Sequence, residues 1–330
     1  MKTVPFLSLL FALACGTARA ADVSVYALTK TQNFQQTSAA APVALATGAF
    51  SFAAVISPAT ATSVTSATLR LPSAVVKPFG PDPSFGSLAV VEAFDTQAAM
   101  DAVYGSGSYQ FTINAVTDGT RTPSLSLGAA AYPTTPRITN FNAAQDIDWT
   151  QNFTLQWGAY VGGTSGDSIQ LIILRKNGTT LFSTPPFGST GTLDGTATST
   201  VIPANTFVPG ESYTATLVFG NIITIDLFSY GFFSGVPGAT AFAKRTDFPM
   251  KAPGTTPELL ISKGLVVGSY NLTWNADIGR RYDLVRTAAL SAPVTWTRIA
   301  LVTGTASTMT RIDTPTAATK IRFYRLQEPP

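Results

Sequence analysis

Apolar side chains recur at every second position in segment after segment of this chain. Phe50, Phe52, Ala54 and Ile56 form one row, Tyr109, Phe111, Ile113 and Ala115 a second, and Leu125 with Leu127 a third. A period of two turns one face of an extended strand toward a core and the other toward solvent, which points to antiparallel sheets and away from helical bundles. One segment departs from this. Thr96 to Tyr104, capped by Asp95 or Thr96, with Met100, Val103 and Tyr104 on one face and Gly105 as its stop, predicts a short helix.

What holds such sheets together is limited by composition. The chain has a single cysteine, Cys15, and no histidine. Lys2, the apolar run Val4 to Ala14 and the small-x-small site Ala18-Arg19-Ala20 read as an export signal cleaved after Ala20. At about eleven residues the run is too short for a bilayer crossing, which takes about twenty. Cleavage there removes Cys15, so no disulfide forms and stability rests on core burial. The alternative is that Cys15 is lipidated and kept as a tether, although Ala12-Leu13-Ala14 lacks the leucine usual before such a cysteine. The expected product is secreted, periplasmic or at the cell surface, with no transmembrane segment after cleavage.

Charged residues make up 12% of the chain, about half the usual share. Without Lys2 and Arg19, 19 basic residues stand against 18 acidic ones, so no nucleic-acid partner is expected. The balance is uneven. Lys244 to the end carries 12 basic and 6 acidic residues, whereas Asp22 to Ala243 carries 7 and 12.

Two proline-rich stretches, Tyr132 to Pro136 and Pro249 to Pro257, read as linkers, because proline removes ladder donors and stiffens extended chain. They divide the exported chain into three modules, 21–132, 137–248 and 258–330. In the second, Phe153, Leu155 and Trp157 share a strand face, Ile169 to Leu174 is a further strand, and Asn177-Gly178 predicts a type I′ hairpin turn. Pro209-Gly210-Glu211-Ser212-Tyr213 then delivers a tyrosine to the start of the alternating Tyr213, Ala215, Leu217 and Phe219. The third repeats the aromatic-x-Leu-x-Trp row as Tyr270, Leu272 and Trp274. On these motifs the second and third modules resemble fibronectin type III or immunoglobulin-like domains of secreted bacterial proteins. The third lacks the Pro-Gly-x-x-Tyr corner. The fold class expected is therefore all-β, tandem antiparallel β-sandwich modules with one short helix in the first.

The missing histidine excludes Ser-His-Asp, Cys-His and zincin-type sites. Lys30, Lys77 and Lys176 stand in no Ser-x-x-Lys setting, and no phosphate-cradling glycine loop follows a strand. No catalytic residue is assigned. Paired carboxylates remain open, as glycoside hydrolysis needs only two, and Glu92 with Asp95 or Asp146 with Asp148 would supply them. Asp146 and Asp148 are also the candidate calcium ligands, calcium being a hard ion that takes oxygen donors. Asp118-Gly119-Thr120 and Asp194-Gly195-Thr196 read as turns. Phe228, Tyr230, Phe232 and Phe233, in a glycine-broken segment, are the candidate binding residues, either as a stacking platform for sugar rings or as packing between sheets. The function expected is a non-catalytic exported protein of surface structure, adhesion or glycan binding. The alternatives are an extracellular carbohydrate-active enzyme and a component of an envelope assembly.

Overall fold

The structure is a computed structural model that describes residues 21–82, 86–231, 235–254, 257–314 and 322–327. The expected signal, Cys15 included, lies outside these residues. Over the described residues the chain is all-β, built of multiple sheets with one short α-helix. It forms two compact units. The first takes in residues up to Asn142, Thr154–Thr200 and Tyr213–Pro249, and the second takes in Ala143–Phe153, Val201–Ser212 and the chain from Met250 onward.

The principal elements of the first unit are, in chain order, β1 (Val23–Gln35), β2 (Phe50–Pro58), β3 (Val64–Arg70), β4 (Ser87–Phe94), α1 (Gln97–Val103), β5 (Gly107–Ala115), β6 (Ser124–Leu127), β7 (Ser168–Leu174), β8 (Thr180–Ser183), β9 (Glu211–Asp226) and β10 (Gly238–Ala252). One sheet runs β8-β7-β9-β10-β1-β2-β4 and ends on Gly80–Asp82, and a second runs β6-β5-β3 and ends on Val76–Pro78. The predicted rows meet between them. Phe52, Ala54 and Ile56 join Leu69, Tyr109, Phe111, Ile113, Leu125 and Leu127 in one core, to which β1 adds Tyr26 and Leu28 and β10 adds Phe242.

The opposite face of the larger sheet is buried as well. Val25, Ala27, Val218, Ala239, Ala241 and Ala243 pack together there, with Phe187 and Ile222 against them. An irregularity between Val23 and Val25 resets the alternation of β1, placing Val23 with the first core and Val25 with the second.

One sheet runs across the expected boundary at 132–137. β1 and β10 pair in parallel, in unbroken register from Tyr26↔Gly238 to Gln35↔Asp247, so strands assigned to different modules are neighbours in one sheet. The pairing is also a departure from purely antiparallel sheets. A parallel neighbour needs only a long connection, and alternation says nothing about direction. The Pro-rich stretch is tied to the first unit. Thr246 Oγ1 donates to the Pro136 carbonyl at 2.7 Å and Asn221 Nδ2 to that of Ala131 at 2.7 Å. Tyr132 packs edge-on against Phe242 at 5.2 Å. The Gln36 amide completes the anchorage, donating to the Ile138 carbonyl at 3.0 Å and accepting from its N–H at 2.8 Å.

Two local expectations are also revised. α1 is capped by Thr96, whose Oγ1 accepts from the Ala99 N–H at 3.2 Å. Met100 and Tyr104 are buried, with the Tyr104 ring stacked on Phe52 at 3.7 Å, but Val103 faces solvent. At Asn177-Gly178 only the glycine has positive φ, +85°. A type I′ turn requires it at both positions, so the hairpin closes instead through an ordinary four-residue turn over Arg175–Gly178 whose last residue is a left-handed glycine. The Gly178 N–H donates to Arg175 O and the Arg175 N–H to Thr179 O, both at 2.8 Å.

In the second unit, β11 (Leu259–Lys263), β12 (Tyr270–Asn275), β13 (Arg281–Thr287), β14 (Thr297–Thr303), β15 (Thr308–Asp313) and β16 (Phe323–Gln327) form two three-stranded sheets. Their orders are β11-β12-β15 and β14-β13-β16. Leu272, Trp274, Tyr282 and Leu284 make the core between them, with Leu259, Ile299, Val302 and Met309 at its margin. The second expected linker begins as strand: Met250 and Ala252 are fully buried, and the Ala252 carbonyl accepts from the Gly210 N–H at 2.7 Å.

The β1–β10 seam yields a test. A Cβ built on Gly238 would lie 2.4 Å from Tyr26 Cζ and 2.5 Å from its Oη. The Tyr26 ring is itself held by Phe111 at 5.3 Å and Tyr230 at 6.2 Å. Gly238→Ala is therefore expected to cost about 1–3 kcal/mol through overpacking, read as a lower denaturation midpoint in urea.

Candidate binding surface

Asp226 ends β9 and turns the chain. Its Oδ1 accepts from the backbone N–H groups of Phe228 at 2.7 Å and Ser229 at 2.9 Å, and the Ser229 hydroxyl donates to its Oδ2. This turn puts Phe228 outside, 69% exposed, and sends Tyr230 inward, 2% exposed. Tyr230 belongs to the first core, and its hydroxyl donates to Asp118 Oδ2 at 3.0 Å. Burial, and then this bond, raise its pKa, so the hydroxyl stays a donor. An aromatic platform that includes Tyr230 is thus ruled out, because the turn separates it from Phe228. Phe232 and Phe233 lie outside the described residues. Ile223 and Ile225, two apart on β9, are exposed beyond Gly220, the last β9 residue paired to β7. Phe228, on the turn that follows, is exposed as well, so apolar side chains other than the aromatic candidates also face outward near this end of β9. The signal for the two isoleucines was present in the strand's own period.

The candidate acids are engaged in local structure. Asp148 Oδ1 accepts from both the N–H of Thr150 at 2.9 Å and its hydroxyl at 2.6 Å. These bonds, the hydroxyl's first, hold the carboxyl below the usual range. Asp194 does the same with Thr196 at 2.8 and 2.6 Å, and the Asn177 side chain with Thr179 at 3.0 and 2.7 Å. Asx-x-Thr is therefore a recurring turn unit in this chain, and the threonine two residues on marks it. Asp146 is exposed, and no cluster of three His, Cys, Asp or Glu that could hold a metal occurs among the described residues. Of the other carboxylate pair, Glu92 is ion-paired with Lys77 and Asp95 Oδ1 accepts from the Gly48 N–H at 2.7 Å.

Other charges serve the sheets. Lys30, nearly buried on β1, reaches Asp101 on α1 at 2.6 Å. Asp22 and Asp118 clamp one another's loops: Asp22 Oδ2 accepts from the N–H groups of Thr117 and Asp118, and Asp118 Oδ2 accepts from that of Asp22. In the second unit Arg298 grips Asp283 through two bonds, at 2.7 and 2.9 Å, with Gln327 Nε2 adding a third contact at 3.3 Å. Arg286 likewise grips Asp313 at 2.6 and 2.9 Å. Tyr324 also donates to Asp313, and its pKa is pushed up to about 12 by burial and by that bond. Part of the basic excess of the tail is thus spent on buried aspartates.

No protein-family model matches the chain, and no curated protein matches it in sequence. Solved structures offer distant likenesses. A tetra-tandem repeat from the extending region of a large adhesion protein is 15% identical, over 89% of this chain and 67% of that one, with a TM-score of 0.30. A bacterial ice-binding adhesin is 9% identical over 90% and 88%, with a TM-score of 0.19. The FN1–FN3 domains of chicken CNTN1 are 11% identical over 84% and 95%, with a TM-score of 0.17. No helix among the described residues is long and apolar enough to cross a membrane.

The Asp283 pair sets a pH dependence. Hydrogen bonding from Arg298 lowers the carboxyl pKa below 3.8, its ordinary value. Its contribution is complete above that value and disappears as pH falls through the lower folded one, where the proton displaces the arginine. In an acid titration followed by Trp fluorescence, the wild type should lose stability below pH 3.8. Asp283→Asn should be weaker at neutral pH and lose less over that window.

Proposed function

We propose that the chain is an exported, non-catalytic β-sandwich protein of the cell surface, acting in adhesion, with its second unit a sandwich of the fibronectin type III kind. The observation that carries this is the contrast between the two kinds of candidate side chain. The acids proposed for catalysis or calcium are turn caps, ion-pair members or isolated at the surface. Ile223 and Ile225 on the last part of β9 and Phe228 on the turn after it, by comparison, are exposed. Aliphatic side chains and an aromatic ring offer contact area without chemistry. Sugar rings, whose C–H faces stack on aromatic rings, suit Phe228, and an envelope polysaccharide is the ligand class proposed.

The assay is retention of the purified chain on immobilised envelope polysaccharide. Wild type should be retained, and Ile225→Ser with Phe228→Ala should bind roughly tenfold more weakly, about the effect of losing one anchor residue. Both positions are exposed, so the unfolding midpoint should not move. Equal retention of the two proteins, or none by either, defeats the glycan assignment.

A further inference from the structure

Independently of those side chains, the second unit ends in a surface built differently. β11 runs into the 264–269 loop and β12 runs away from it, while β13 returns and enters the 288–296 loop. The ends of β12 and β13 are tied at this point. Arg286, near the end of β13, binds Asp313, which faces Tyr270, the first residue of β12. The Tyr270 and Tyr324 rings lie 6.2 Å apart across the same junction. Both loops therefore project from one end of the sandwich.

Their tips are aliphatic. Between Gly264 and Gly268 stand Leu265, Val266 and Val267, with Leu265 and Val267 as exposed as in an extended chain, and Leu290 is exposed on the other loop. Trp296 follows on that loop, with the Arg325 guanidinium 4.5 Å above its ring. The cations beside the tips are Lys263, which adjoins the first loop, and Arg325 over the Trp296 ring, whereas Arg286 and Arg298 are ion-paired with the buried Asp313 and Asp283 and add little net charge.

We infer that this end of the second unit is a peripheral membrane-binding surface that inserts Leu265, Val266, Val267 and Leu290 among the acyl chains of an anionic bilayer. Aliphatic tips gain by leaving water, and cations beside them gain from anionic headgroups. Tryptophan favours the same interfacial depth. A protein partner fits less well, since a three-residue glycine-flanked tip offers neither the area nor the hydrogen-bonding side chains that fix a docked register. A soluble polyanion would satisfy the cations and leave the aliphatic tips in water.

The test is co-sedimentation of the chain from Ala21 onward, which holds every described element, with vesicles of phosphatidylcholine alone or mixed with phosphatidylglycerol. Binding is expected to the mixed vesicles, much less to phosphatidylcholine, and to weaken as salt is raised. Replacing Leu265, Val266 and Val267 together by Ser should reduce partitioning roughly a hundredfold, and Lys263→Glu several-fold. Leu290→Ser is a second, independent reduction, and unchanged unfolding midpoints show that the variants are folded. Failure to sediment with either vesicle, or equal sedimentation of wild type and the triple variant, overturns the inference. So does equal capture of both by a soluble acidic polysaccharide, which would assign the basic rim to a glycan.

Discussion

The first unit depends on one main-chain ladder, the parallel pairing of Tyr26–Gln35 with Gly238–Asp247. It lies in the middle of the larger sheet, with β2 on one side and β9 on the other. Both of its faces are therefore interior. Tyr26, Leu28 and Phe242 serve one core, and Val25, Ala27 and a row of alanines serve the other. The alanines matter as much as the aromatics, because small side chains let Phe187 and its segment lie close over the sheet. Lys30 and Arg245 are carried into the interior on these same strands, and each is met by an aspartate. A buried charge left alone would cost several kcal/mol.

With no histidine, and no cysteine among the described residues, aspartate carries much of the specific polar work. It closes turns by accepting a backbone and a hydroxyl hydrogen from a threonine two residues on, and it anchors arginines between strands. The first role suits a hydroxyl-rich chain, because each turn needs only a serine or threonine in the right place. The second allows the C-terminal sandwich to bury Asp283 and Asp313 in a small core.

The strands easiest to read in the sequence were those with one wet face. β5 and β6 alternate cleanly because their outer residues reach solvent, β2 kept a legible row in Phe50, Phe52, Ala54 and Ile56 although both of its faces are buried, and the short helix was legible from its cap and its Met100–Tyr104 stripe. The paired stretches that organise the sheet were not legible, because β1 and the first part of β10 are buried on both sides, so no period of two survives in Tyr26–Thr31 or Gly238–Ala243. Prolines alone do not distinguish a linker from a tied loop, and the Tyr132–Pro136 stretch is bonded to the first unit. Among the site residues, Phe228 and Tyr230 looked equivalent by spacing. The turn made by Asp226 and Ser229 separates them, and spacing alone does not show it.

The central ladder also bears on when the fold can form. A chain synthesised from its N-terminus presents β1 almost at once, yet the strand that fills its second edge follows some two hundred residues later. Until then β1 can pair only with β2, and one row of its backbone donors and acceptors stays open to water or to a neighbouring chain. Contacts of such sequence separation make folding slow. The first unit is therefore assembled late and from both of its ends at once, and a chain interrupted before Gly238 lacks the strand that completes its sheet.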